Sequence, residues 1–597
     1  MKGMKAMKAA FRQGDLFDFA AQKGDDRAGH ALETGRSRLL VTGLVMAMVF
    51  ATLGWRVVDL TLFTTRAEPR LARNAAIHPP VAGRADILDR NGTVIATSLP
   101  AVSVYANPKN VLDVRDTADK LIRVLPDLDR EALERRLAAK GSFVYIKRNL
   151  TPEQHYQVHR LGLPGIQFEN GERRVYPQGR LLAHVLGATD IDGHGTAGIE
   201  KHFEGRLAAG GTPLRLSVDV RVQAVAREAL GKAVEDFRAL GGTAIVMDAN
   251  TSELVAMVSL PDFDPNRPVE LLGESGFNRA TKGVYEMGST FKLLTAAMAL
   301  DAGVVGISGG YDASKPMQIA RFSITDYHAK NRWLSVPEIL IYSSNIGAAK
   351  MALDVGAKAQ QTYLGRLGLL RPSPVELPEV GHPMYPATWR PINTVTISYG
   401  HGISVTPVNL ANAVAAVVNG GIFRPATLLR QEAPEGLPGE RVFSADTSAK
   451  MRGLMRLVVS RGTGRKADAE GYLVGGKTGT AEKIKATGGY SDKANIASFV
   501  GAFPIHAPRY VIVVCVDEPK ANEASMGYAT GGWVAAPAVA QIVQRVAGIM
   551  AIPPEPGMPN LAATKELETA EAALRPAADR RVVAVPAGGR EQERAAE

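Results

Sequence analysis

Apolar residues along the chain fall mostly in short runs broken by Gly, Pro and charge, with one exception near the start. From Leu39 to Trp55 seventeen residues pass without a charge, and Val57, Val58 and Leu60 extend the run beyond Arg56. About 17–25 such residues carry a helix across a bilayer. Trp55 and Arg56 stand where interface anchors belong. The pattern predicts a transmembrane helix over 39–60. Basic residues ahead of it, among them Lys2, Lys5, Lys8, Arg12, Arg36 and Arg38, predict a cytoplasmic tail over 1–38. A cleavable signal peptide would start nearer the N-terminus and end in a small-residue cleavage site, and none is evident.

Beyond the anchor the periodicity becomes that of short strands. Gly83 to Ala96 reads as strand, Asn91-Gly92 turn and strand. Strand-like pieces follow at Val102–Tyr105 and Phe143–Ile146, with one charged helical stretch from Asp113 to Lys140 between them. Arg173-Arg174-Val175-Tyr176-Pro177 and Gly198-Ile199-Glu200 read as loops. No nucleophile or metal cluster is arranged here, so 66–215 reads as an α+β module whose task the residues leave open.

The next region, 216–550, alternates differently. A helix is predicted over Val220–Leu240, then strands at Thr243–Met247 and Glu253–Ser259 around an Asp-Ala-Asn-Thr-Ser turn. Helices are expected over Val405–Val418, Ser448–Val459 and Val534–Val546, and strands at Ala497–Ala502 and Tyr510–Val516. Strands at both ends with helices between them imply one antiparallel sheet. The fold class is therefore α+β: an anchor helix, an α+β module, and a larger domain of antiparallel sheet flanked by helices. The Pro/Ala/Glu/Arg-rich segment 551–597 is expected to be a disordered tail.

Composition changes this picture little. The net charge of +10 is spread along the chain and not massed with aromatics, so nucleic acid is not the expected partner. The one cysteine, Cys515, forbids an intramolecular disulfide or a multi-cysteine metal site, and its apolar run makes it a buried strand residue. The eleven histidines form no His-Glu-x-x-His pattern, so no zinc site is expected. His401, between two glycines, reads as a turn histidine.

Three short motifs carry the candidate chemistry. Ser289 and Lys292 stand three apart at the start of the helix-prone Leu293–Leu300, so the amine reaches the hydroxyl. A desolvated, neutral amine accepts the hydroxyl proton and activates it for attack. Ser343-Ser344-Asn345 precedes a second helix-prone run, and Lys477-Thr478-Gly479-Thr480 follows Tyr472-Leu473-Val474, where a strand is expected to run. Gly471 to Thr478 also fits a Gly-x-x-x-x-Gly-Lys-Thr phosphate loop. Its apolar residues fall inside the would-be loop and its flanks are polar, which argues against an ATPase.

Ser-x-x-Lys, Ser-Asp-Asn and Lys-Thr-Gly, in that order, form the signature of β-lactamases and penicillin-binding proteins, and all three stand here in that order with Ser-Ser-Asn at the middle one. Together with Gly83–Gly92, Arg173–Pro177, Gly198–Glu200, Tyr285–Lys292, Tyr399–Pro407 and Lys477–Glu482, they make the chain resemble the class B penicillin-binding proteins of the division (FtsI-like) type. Met287 departs from the usual Pro, and Arg84-Ala85 from the usual Arg-Gly. The resemblance implies an elongated α+β pedestal, a serine β-lactamase-like catalytic domain, and a septal peptidoglycan D,D-transpeptidase that needs no cofactor or metal. Ser289 would attack the penultimate D-Ala carbonyl, Lys292 act as base, Ser343 relay the proton and Asn345 bind the donor peptide. Lys477 and Thr478 would hold the substrate carboxylate, Gly479 and Thr480 would complete the substrate-binding strand, and the backbone N–H groups of Ser289 and Thr480 would form the oxyanion hole. It also implies β-lactam binding, stem peptides on lipid-linked nascent glycan as substrate, and a periplasmic catalytic domain at the cell inner membrane. The implied partners are an FtsW-type glycosyltransferase and other divisome proteins. An elongation-type relative, a D,D-carboxypeptidase or β-lactamase-like hydrolase, and a non-catalytic scaffold are the competing readings. No Glu-x-x-x-Asn loop that would activate a deacylating water lies between the second and third motifs.

Overall fold

The structure, a computed structural model, describes residues 26–58, 83–484 and 490–554. The tails expected over 1–38 and 551–597 therefore lie, for 1–25 and from 555 on, outside the described residues, as do 59–60 of the expected membrane helix. The first unit contains α1 (Asp26–Val58), whose stretch Leu39–Arg56 has a mean hydropathy of 1.7 and is long and apolar enough to cross a membrane. The helix begins well before the apolar run.

The second unit opens on a five-stranded sheet: β1 (Ile87–Leu88), β2 (Val94–Ala106), β3 (Val144–Leu150), β4 (Ile166–Val175) and β5 (Leu214–Arg215). β2 runs antiparallel to β1, β3 and β4, and β5 joins β1 in parallel. The expected Asn-Gly turn closes between β1 and β2, where Asp89 accepts hydrogen bonds from the N–H groups of Asn91 and Thr93, both at 2.8 Å. The single helix expected over Asp113–Lys140 is two, α2 (Val114–Val124) and α3 (Arg130–Leu137). Pro126 lies in the gap and supplies no N–H to continue a helix, while Asp113 and Asp129 cap the two starts.

The stretches read as loops are also structured. Arg173–Val175 ends β4, and Gly198–Glu200 opens α4 (Gly198–His202). They meet because Glu200, fully buried, takes Arg84 Nε at 2.6 Å on one oxygen and Arg174 Nε at 2.7 Å on the other. Arg84 also reaches Glu204 at 2.8 Å. Three pieces with no visible chemistry in the sequence thus form one charge cluster.

The larger part of the unit is built on a second sheet. α5 (Val220–Asp236) stops four residues short of the expected Leu240 and leads into β6 (Gly241–Asp248) and β7 (Leu254–Leu260). Next come α6 (Phe291–Asp301), the hairpin β8 (Met317–Ile319) and β9 (Phe322–Ile324), then α7 (Val336–Ile341) and α8 (Asn345–Val355). α9 (Pro391–Ser398), α10 (Pro407–Val418) and α11 (Ala445–Arg461) follow. β10 (Gly475–Ile484), β11 (Tyr490–Phe503) and β12 (Tyr510–Asp517) complete the sheet in the order β10-β11-β12-β6-β7, antiparallel throughout, and α12 (Ala535–Ile549) closes it. In β12, Val511, Val513 and Cys515 face a core shared with α6 and α10, while Ile512, Val514 and Val516 face one shared with α5 and α12. A strand buried on both faces reads as an unbroken apolar run. Burial pushes the Cys515 thiol up to about 12, as suits an inert core residue.

Candidate active site

Ser289 sits in a single 3-10 turn, Gly288–Thr290, immediately before α6 and not within it. Gly288 holds φ +54°, and a Cβ there would stand 2.7 Å from the Thr480 carbonyl oxygen, so only glycine lets the turn lie against β10. From the first turn of α6, Lys292 returns to the hydroxyl, with Nζ 3.0 Å from Ser289 Oγ. The same amine donates to Asn345 Oδ1 at 2.7 Å and to the Ser343 carbonyl at 2.6 Å, and lies 3.1 Å from Ser343 Oγ.

Ser343 occupies the turn between α7 and α8 at φ +59°, a strained conformation for a residue with a side chain. That backbone sets its hydroxyl between two ammonium positions, for Lys477 Nζ is 3.0 Å away on the other side. Ser344 is the N-cap of α8, accepting from Gly347 N at 3.0 Å and donating to Asp326 at 2.7 Å. Asp326 also accepts from the backbone N–H groups of Asn345 and Ile346 at 2.6 and 3.0 Å. Its carboxylate at a helix N-terminus fixes the whole Ser-Ser-Asn turn.

Lys477-Thr478-Gly479-Thr480 lies within β10, the edge strand, and the strand expected at Tyr472–Val474 begins only at Gly475. No helix starts at Lys477, so the phosphate-loop geometry is absent there. Lys477 is fully buried; Thr478 Oγ1 is 2.7 Å from Thr463 Oγ1, and Thr480 Oγ1 accepts from Gly531 N at 3.2 Å. A side chain on Gly479 would meet Ser498 Oγ at 2.4 Å and the Met287 carbonyl at 2.5 Å, so its part is to let β10 approach the nucleophile turn.

Electrostatics follow from this crowding. Burial holds Lys292 well below its ordinary value, and the charge of Lys477 lowers it further, against a smaller opposite pull from Asp326. Burial alone brings Lys477 down to about 7. Two neighbouring buried ammonium groups are costly, so the pair favours one neutral amine, the form a base requires.

A cleft of about 850 Å³ exposes Ser289, Ser343, Asn345, Thr478 and Thr480 together. Every residue assigned to the site from sequence therefore converges, Gly479 and the two buried lysines through backbone approach and hydrogen bonding. His401, read as a turn residue, instead lines this cleft. Gly400, at φ +79°, packs on Gly288, whose N–H donates to the Gly400 carbonyl at 3.2 Å, and this carries His401 beside the nucleophile turn. His401 Nδ1 lies 3.2 Å from the buried Glu286 carboxylate, which also accepts from Gly402 N at 2.7 Å. Asp326 and Glu286 escaped the sequence reading because their partners are distant in the chain. The repeat Gly400-His401-Gly402 was the signal for His401, since closely spaced glycines mark backbone approach.

Residues 242–544 match the penicillin binding protein transpeptidase domain model, and 79–224 the penicillin-binding protein dimerisation domain. The probable peptidoglycan D,D-transpeptidase FtsI of Caulobacter vibrioides is 39% identical over 505 residues, covering 82% of this chain and 85% of its own. The chain belongs to the class B penicillin-binding proteins. Another relative is the peptidoglycan D,D-transpeptidase FtsI of Escherichia coli, 32% identical over 86% of this chain and 91% of its own. Among solved structures, the transpeptidase domain of penicillin-binding protein 3 from Burkholderia pseudomallei superposes with a TM-score of 0.52 at 33% identity, over 58% of this chain and 98% of that one. A peptidoglycan synthetase from Bifidobacterium adolescentis shares the fold at 21% identity, with a TM-score of 0.63 over 79% of this chain and 96% of that one. As a class B protein, this chain combines an apolar N-terminal helix, a dimerisation-type module and a transpeptidase domain.

Proposed function

We propose that the protein is a septal peptidoglycan D,D-transpeptidase with Ser289 as nucleophile. The observation that carries this is the 3.0 Å contact between Ser289 Oγ and an amine whose burial favours its neutral form. Neutral Lys292 takes the Ser289 proton as Oγ bonds to the penultimate D-Ala carbonyl carbon. The oxyanion develops between the backbone N–H groups of Ser289 and Thr480. Ser343, in contact with both lysines, passes a proton to the departing nitrogen, the peptide C–N bond breaks and terminal D-Ala leaves. Lys477 and Thr478 hold the terminal carboxylate, and Asn345 orients both Lys292 and the donor peptide. An amine of a second stem peptide then attacks the ester, the C–Oγ bond breaks and Ser289 recovers its proton. A β-lactam enters the same acylation and stays as an ester.

Fluorescent penicillin should label the parent and leave Ser289→Ala unlabelled, and persistent labelling of the variant would sink the assignment. The boundaries we propose are a membrane helix over 39–60, a pedestal over 66–215 and the catalytic domain over 216–550. With basic residues ahead of the helix, the N-terminus is cytoplasmic and the catalytic domain periplasmic. The glycan is polymerised by an FtsW-type partner that should co-purify from detergent-solubilised membranes. A fluorescent fusion should gather at the division site. Recruitment to the lateral wall would favour the elongation-type reading.

A further inference from the structure

A second groove, of about 660 Å³, adjoins the catalytic cleft. One wall is the β8–β9 hairpin, contributing Arg321 at its turn and Phe322; the other is the start of α9, with Arg390, Ile392 and Thr396. Tyr399 lines both the groove and the cleft, so the two spaces share a wall. The groove is lined by two guanidinium groups and no carboxylate. Neither Arg321 nor Arg390 has an ion-pair partner among the described residues, in a protein whose arginines are widely paired. The Arg321 guanidinium lies 5.2 Å from the centroid of the Phe322 ring, which steadies it at the rim.

The hairpin is tied to the catalytic machinery. Asn345 Nδ2 donates to the Thr325 carbonyl at 2.9 Å, and Asp326 binds the start of α8. These bonds tie the residues that follow β9 to the Ser-Ser-Asn turn, and Arg321 belongs to the same hairpin. The cleft also has a direction. The leaving residue of a donor peptide, with its carboxylate, lies toward Lys477 and Thr478. Tyr399 is the residue the cleft shares with the groove, so a donor chain that continues past it from the acyl residue would enter the groove.

We infer that this groove extends the acyl-donor site and binds a carboxylate carried by the donor peptide upstream of its acyl residue, through Arg321 and Arg390. The inference rests on the transpeptidase reading of the cleft. A guanidinium pairs with a carboxylate through two parallel hydrogen bonds, and Phe322 and Ile392 offer apolar surface to the peptide between its charges.

The test compares synthetic D-alanyl thioester donors that differ only in an upstream residue, glutamyl with a free carboxylate or its neutral glutaminyl counterpart. Acylation of full-length protein in detergent is followed by intact mass. The parent should acylate with the glutamyl donor about tenfold faster in kcat/KM, with the preference shrinking as salt rises. The double variant R321E/R390E should abolish or invert the preference, and R321K/R390K should retain part of it. Fluorescent penicillin labelling reports whether each variant is folded. Equal rates for both donors in the parent, or an undiminished preference in a penicillin-labelled R321E/R390E, would overturn the inference while leaving the transpeptidase reading intact. Failure of the parent itself to form any acyl-enzyme would instead overturn that reading.

Discussion

Ser343 Oγ lies 3.1 Å from one buried amine and 3.0 Å from another, and this arrangement governs how the site responds to pH. Acylation needs Lys292 neutral, so its rate should fall on the acid side as that amine gains a proton. It should fall again as Lys477, at about 7, loses the charge proposed to hold the carboxylate. Penicillin acylation measured against pH should give a bell, and Lys477→Met should lose the alkaline limb. Stability tests the same depressed value. Between about 7 and 10.5 the unfolded chain binds a proton at Lys477 that the folded chain lacks. The parent should therefore gain stability relative to Lys477→Met as pH rises through that window, by up to about 1.4 kcal/mol per pH unit. Denaturant unfolding of the pair at several pH values would read this, and a flat difference would contradict it. Ser343→Ala should slow acylation about 100-fold, the scale of a lost proton-transfer partner. At this scale Ser289 and Lys292 were legible because a three-residue spacing has a fixed geometric meaning at a helix start. Asp326 was not, since it acts on a motif seventeen residues ahead through backbone groups that no pattern marks.

Elements position these residues by approaching closely, and glycine marks where they do. At Gly400 a Cβ would stand 2.2 Å from the Gly288 carbonyl, besides the cost of φ +79°. Gly92 has a similar φ of +89° and open space around it. Gly92→Ala should cost about 1 kcal/mol, from backbone strain alone, whereas Gly400→Ala should cost more than about 2 kcal/mol and also slow penicillin labelling. Equal effects would mean that the contact between the two loops is unimportant. The sheet was legible for a related reason: Tyr510–Val516 is apolar throughout because both of its faces are covered. Boundaries were less so. The Lys-Thr-Gly motif lies inside β10 and not after a strand, because an edge strand tolerates polar and glycine residues that the pattern reads as a break. Pro126 divided the predicted Asp113–Lys140 helix, and Arg173–Val175 proved to be strand. Its Arg174 serves a buried partner, which local sequence does not reveal.

In the molecule as a whole, Glu200 gathers Arg84 and Arg174, with side-chain exposures of 0, 7 and 3%. Removing a buried carboxylate strands Arg174 and leaves Arg84 with Glu204 alone, so Glu200→Ala should lose about 3–5 kcal/mol of stability, as thermal unfolding would show. An unchanged Tm would contradict the clamp. The pedestal's motifs thus read as architecture, and the chemistry resides in the transpeptidase domain, where three distant segments meet at one hydroxyl. The most direct test of that claim is mass spectrometry of the penicillin adduct. Intact protein should gain the mass of one penicillin, and proteolysis should place the added mass on Ser289. An adduct on another residue, or none at all, would contradict the assignment.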